Sequence, residues 1–110
     1  MEREILIYGE YFWEFYHKLS PKVQEKIEYV FDLVRYEKQV PVKFLKHIES
    51  SDGLYELRIR TGNNIFRFFC FFDEGKLVVV LNGFQKKSQK TPKKEIMLAE
   101  RLKKEYYEQK

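Results

Sequence analysis

Three arginines and a run of lysines stand out in this 110-residue chain as groups able to bind, and act on, an anion. Arg58 and Arg60 lie two apart in an alternating segment, and Arg67 stands inside Ile65-Phe66-Arg67-Phe68-Phe69-Cys70-Phe71-Phe72. Lys86, Lys87, Lys90, Lys93 and Lys94 fall within nine residues that contain no acid. Strand alternation sets Ile65, Arg67, Phe69 and Phe71 on one face and Phe66, Phe68, Cys70 and Phe72 on the other. A guanidinium among aromatics is costly to bury alone, so Arg67 must pair with an acid such as Glu56 or open onto a cleft. Arg58 and Arg60 share a face of the preceding strand, and a short turn lets that face align with Arg67. Three guanidiniums on one surface repel one another unless an anion visits. Joined by the lysines that follow the last strand, they make a concave cationic patch whose natural ligand is a phosphodiester backbone.

Such a patch can also support a reaction. RNA carries its own nucleophile, the 2′-hydroxyl, so a nuclease of this kind must fix an in-line geometry, stabilise a phosphorane and manage two protons. Arginine and lysine supply the electrostatic part without a metal. Proton transfer is left unassigned, because His17 falls in the first helix and His47 in a connector, and nothing in the spacing puts either beside the patch. The plainer readings are a solvated lysine loop kept for solubility and an Arg67–Glu56 ion pair kept for structure.

Composition limits what else the chain can be. Its net charge of +4 is unevenly spread: residues 1–82 carry 12 basic and 13 acidic side chains, residues 83–110 carry 9 and 4. With 44% hydrophobic and 17% aromatic residues the chain reads as one compact domain over 1–110, with material for a core. One cysteine, Cys70, excludes an intramolecular disulfide and a cysteine zinc cluster, and two histidines make a poor metal set, so neither metal nor cofactor is expected. No stretch approaches the ~20 apolar residues of a membrane span. The opening Met1-Glu2-Arg3-Glu4 lacks the layout of a secretory signal, and a cytoplasmic protein with no membrane partner is expected.

The elements that must hold the patch follow from periodicity. Residues 5–8 predict a strand, and 10–18 a first helix with Phe12, Trp13, Phe15 and Tyr16 as packing surface. Ser20-Pro21 opens a second helix over 21–37, amphipathic through Val23, Ile27, Val30, Phe31 and Val34, with Lys22, Glu25, Lys26, Glu28 and Asp32 opposite. A connector over 42–53 contains a turn at 42–46. Strands over 54–60, 65–72 and 76–82 then form an antiparallel meander with turns at Thr61-Gly62-Asn63-Asn64 and Asp73-Glu74-Gly75. Thr91-Pro92 repeats the cap-then-proline signal before a closing helix with Ile96, Ala99, Leu102 and Tyr106 at helical spacing.

Leu54-Tyr55-Glu56-Leu57-Arg58-Ile59-Arg60, Phe66-Arg67-Phe68-Phe69, and Leu81-Asn82-Gly83-Phe84-Gln85-Lys86-Lys87-Ser88-Gln89-Lys90-Thr91-Pro92 with Glu95-Ile96 after it resemble the phage-derived, HigB-like branch of the RelE toxin superfamily. The resemblance is strong over residues 42–102 and looser over 1–41. It implies an α+β fold: a small, mostly antiparallel four-stranded sheet with two N-terminal helices packed on one face and a C-terminal helix. It further implies a toxin that cuts messenger RNA on the ribosome without a metal, held in check by a helix-turn-helix antitoxin. Carried over by position, Arg67 would contact the scissile phosphate, with Arg58 and Lys87 assisting catalysis. Arg60, Lys86, Lys90, Lys93 and Lys94 would bind RNA, and Glu56 would orient an arginine. Residues 86–95 lack the tyrosine or histidine that other branches use for proton transfer, and Tyr106 and Tyr107 read as packing or solvent-facing. A non-catalytic RNA- or ribosome-binding module, or a basic surface that only holds an acidic antitoxin segment, would account for the same charges.

Overall fold

The computed structural model describes residues 2–110. In chain order it contains β1 (Glu4–Ile7), α1 (Tyr11–Tyr16), α2 (Pro21–Tyr36), β2 (Leu45–His47), β3 (Tyr55–Thr61), β4 (Asn64–Asp73), β5 (Leu77–Lys86) and α3 (Lys93–Gln109). The strands form one sheet in the order β1-β5-β4-β3-β2, with β1 parallel to β5 and every other pair antiparallel.

The sheet has five strands where four were expected. The additional one is β2, which lies in the connector where a turn over 42–46 was anticipated and pairs Leu45, Lys46 and His47 with Leu57, Glu56 and Tyr55. Three residues are too few to display an alternating pattern, so β2 exists because β3 offers it an edge.

Helices cover both faces. The buried stripe of α2, Val23, Ile27, Val30, Phe31 and Val34, packs with Phe12 of α1 onto Leu57, Ile59, Phe66, Phe68, Cys70, Val78 and Val80. On the opposite face Ala99, Leu102 and Tyr106 of α3 cover Leu54, Phe69, Phe71, Val79, Leu81 and Phe84. Strand β4 thus feeds alternate side chains to two cores, which accounts for its nearly unbroken aromatic composition. Cys70 is fully buried and desolvation pushes its thiol pKa well up, which makes it a packing residue.

The helix ends differ in how they are built. Ser20 caps α2, its hydroxyl accepting from the Val23 N–H at 3.3 Å, with Pro21 as the first helical residue. The matching signal before α3 acts differently. Pro92 is the N-cap, no side chain caps the helix, and Asn82 of β5 donates from Nδ2 to the Glu95 carbonyl and carboxylate at 3.1 and 3.2 Å. At the far end of α3, Asp73 accepts from Tyr106 Oη at 2.8 Å and pairs with Lys110 Nζ at 2.9 Å.

A β-bulge re-aims the end of β5. Cys70 pairs with Val80 and Phe68 with Gly83, so β5 spends one more residue than β4 across that interval. The extra residue reverses the alternation of β5, which puts Phe84 in the same core as Val79 and Leu81. Gly83 is required at the crossing: a Cβ there would stand 2.3 Å from the Phe68 ring.

Candidate functional site

The β3–β4 hairpin fixes the arginines. Its ladder runs unbroken from Tyr55↔Cys70 to Thr61↔Asn64 and turns through Gly62, whose φ of 58° suits a glycine. Arg58 therefore lies directly opposite Arg67, with Arg60 opposite Ile65 and Glu56 opposite Phe69. Alternation puts Glu56, Arg58, Arg60 and Arg67 on the α3 side of the sheet, toward the hairpin end.

The hollow opens where β2 stops. Just before β2, the Phe44 carbonyl accepts from the Arg58 N–H at 2.8 Å and the Val42 carbonyl from Arg58 Nη1 at 3.5 Å. Beyond these bonds lies a cavity of about 530 Å³ lined by Lys26, Lys43, Phe44, Arg58, Ile59, Arg60, Gly62, Ile65 and Arg67. Among the described residues the lining carries five cationic side chains and no carboxylate.

One acid, Glu56, is shared between two of the arginines, and Glu25 lines the adjoining hollow with Lys26 and Arg60. Glu56 Oε1 lies 3.5 Å from Arg58 Nε and 3.7 Å from Arg67 Nε, and Arg67 also donates from Nη1 to the Phe66 carbonyl at 3.3 Å. Both Nε donors are buried, and neither has a hydrogen-bond partner among the described residues. Glu56 therefore offsets charge without saturating the donors. Burial and then the Arg58 charge push the Arg67 pKa down, Glu56 opposing and Arg60 adding to the fall. Like charges directly across a ladder destabilise it, so this sheet holds a positive field in place at some cost to folding. An oxyanion entering the hollow would relieve that repulsion.

The lysines expected to join the patch divide into two groups. Lys86 and Lys87 line a neighbouring hollow with Asn63, Ile65, Ser88 and Gln89, contiguous with the first through Ile65, because Lys86 pairs with Ile65 in the β4–β5 ladder. Lys90, Lys93 and Lys94 are exposed and line neither hollow. Lys93 and Lys94 begin α3, where the helix dipole disfavours positive charge. Two cations were missed by sequence reasoning. Lys26 reads as part of the solvent face of α2 and Lys43 as connector, and only the packing of α2 and the Pro41–Phe44 turn against β3 brings them to Arg60. His17 stacks on Trp13 at 5.8 Å, His47 meets Tyr55 edge-on at 5.0 Å, and neither lines the hollow. Among the described residues no three His, Cys, Asp or Glu side chains group as a metal site, and no helix is long and apolar enough to cross a membrane.

The five-stranded sheet, with two helices before the meander and one after it, is similar to two solved RelE structures. A double arginine-to-alanine mutant of E. coli toxin RelE in the free state superposes with a TM-score of 0.58 at 17% identity, covering 76% of this chain and 82% of that one. The archaeal RelE–RelB complex from Pyrococcus horikoshii OT3 gives 0.54 at 19% identity, covering 83% of this chain and 100% of that one. The fold is the RelE fold. The family described as phage derived protein Gp49-like matches residues 14–104, and the chain belongs to that family. No curated protein sequence matches it.

Proposed function

We propose that this protein is the toxin of a toxin–antitoxin pair and cleaves messenger RNA on the ribosome, in the cytoplasm, using the RNA 2′-hydroxyl as nucleophile. One observation carries the reading: Arg58 and Arg67 face each other across the hairpin, share a single carboxylate, and line an open hollow with three further cations. A phosphodiester in that hollow meets oriented guanidinium donors on its non-bridging oxygens, where charge grows as the 2′-oxygen attacks. Arg67, the more buried, holds the scissile phosphate, while Arg58 and Lys87 add charge. Arg60, Lys86, Lys26 and Lys43 hold the flanking backbone, and Lys90, Lys93 and Lys94 add long-range attraction. Glu56 sets the orientation of Arg58 and Arg67. The charge of the phosphorane is met by these side chains, and the route needs no metal.

The RelE fold, seen in the archaeal RelE–RelB complex, supports an antitoxin partner. The HigB-like resemblance of residues 81–92 favours a helix-turn-helix antitoxin. A non-catalytic RNA- or ribosome-binding module is the second reading. It is favoured by a lining that contains no histidine, tyrosine or carboxylate to move a proton.

Induced expression of the wild type and of Arg67→Ala, with RNA sequencing of truncated messages, separates these readings. The wild type should arrest growth and leave cut messages, and folded Arg67→Ala should do neither. Growth arrest with full-length messages would select the binding module, and a fully toxic Arg67→Ala would remove Arg67 from the mechanism.

A further inference from the structure

Beside the guanidiniums the same concave surface exposes aromatic faces that the phosphate reading does not use. Phe44 lines the arginine hollow, and Tyr29, on the outer face of α2, lines an adjoining one with Lys22, Glu25, Lys26, Arg60 and Thr61. The two rings meet at 6.2 Å and an interplanar angle of 76°. Lys26 Nζ lies 5.0 Å from the Tyr29 centroid and 5.9 Å from that of Phe44, and Lys43 Nζ lies 5.3 Å from Phe44. Tyr29 is 51% exposed, so one ring face is open to a ligand.

We propose that Tyr29 and Phe44 form a nucleobase subsite, on which an unpaired base stacks while Arg58, Arg60 and Arg67 hold its phosphate. Aromatic side chains bordered by cations are the usual means of holding single-stranded nucleic acid, because every base has a π-face and its backbone needs neutralising close by. Here both parts are built on rigid elements: Tyr29 on α2, and Phe44 pinned by its N–H donating to the Pro41 carbonyl at 2.8 Å and its carbonyl accepting from Arg58. Lys26 touches both rings and also lines both hollows, so backbone and base would be held by one continuous surface. A sequence-tolerant reader results.

The subsite rests on the proposed RNA-binding function, and two probes separate its failure from the failure of that function. A short single-stranded RNA, 2′-O-methylated to block cleavage, offers phosphates and bases, whereas inorganic polyphosphate offers charge alone. Tyr29→Ala and Phe44→Leu, the latter keeping apolar contact with the core, should each weaken RNA binding roughly tenfold and leave polyphosphate binding unchanged. A 2-aminopurine in the RNA should be quenched by the wild type and much less by either variant. Unchanged RNA affinity and quenching in both variants, with salt-sensitive binding retained, overturns the subsite and leaves the phosphate site standing. Equal loss of both ligands also overturns it, since the rings would then act only through the fold. A wild type that binds neither probe at low salt overturns both proposals.

Discussion

Glu56→Gln is the substitution that most sharply probes the electrostatics of the hollow. The carboxylate serves two guanidiniums at 3.5 and 3.7 Å, with side-chain exposures of 10% for Glu56, 8% for Arg67 and 27% for Arg58. At an effective dielectric of about 20, each contact amounts to roughly 4–5 kcal/mol of Coulomb attraction. Desolvation and the Arg58–Arg67 repulsion offset much of this, and removing one partner of a buried pair costs roughly 3–5 kcal/mol net. Glutamine keeps the volume and an acceptor oxygen, so a loss near the lower bound, about 3 kcal/mol, is expected at low ionic strength. That corresponds to roughly 12 °C in Tm for a chain of this size. With its counter-charge gone the hollow should bind anions more tightly, and inorganic phosphate should therefore stabilise the variant more than the wild type. Urea titrations of both proteins, with and without phosphate, read this directly. A variant within about 0.5 kcal/mol of the wild type, or equal stabilisation of both by phosphate, would refute Glu56 as the shared counter-ion.

Two further perturbations test the frame around the site. Gly83→Ala drives a methyl into the Phe68 ring and should cost about 3 kcal/mol or more; Gly83→Ala with Phe68→Leu should recover much of it, and a neutral single variant would contradict the bulge geometry. Asp73 has its pKa lowered, first by the hydrogen bond from Lys110 and next by that from Tyr106. Its contribution is thus complete above the unfolded value near ~3.9 and fades as pH falls through the lower folded value. Unfolding of the wild type between pH 7 and 2 should show this loss on the acid side, and Asp73→Asn should flatten that limb; an identical acid limb in the variant would exclude Asp73 as its origin.

The arginine alignment was legible in the sequence because a strand has a period of two and the hairpin turn is short. Once Gly62 closes the turn, Arg58 has no position but opposite Arg67. The cap at Ser20 and the stripe from Val23 to Val34 were legible for the same local reasons. Features that depend on tertiary contact were not. Strand β2 has too few residues to show a pattern, and Thr91 leaves α3 uncapped while Asn82 of β5 bonds to Glu95 in its first turn. Lys26 and Lys43 enter the hollow only when α2 and the Pro41–Phe44 turn close over the β3 edge. That one carboxylate would serve both arginines depends on rotamers, on which alternation is silent.

Whether the RNA supplies its own nucleophile to a phosphate gripped by Arg67 and its neighbours is decided by a single-atom change in the substrate. Ribosomes would be programmed with a message whose cut nucleotide carries either a 2′-hydroxyl or a 2′-hydrogen, mixed with the wild-type protein, and the products resolved by length and end group. Cleavage of the first message only is expected, leaving a 2′,3′-cyclic phosphate and a 5′-hydroxyl. Cleavage of the 2′-deoxy message at the same position would contradict it.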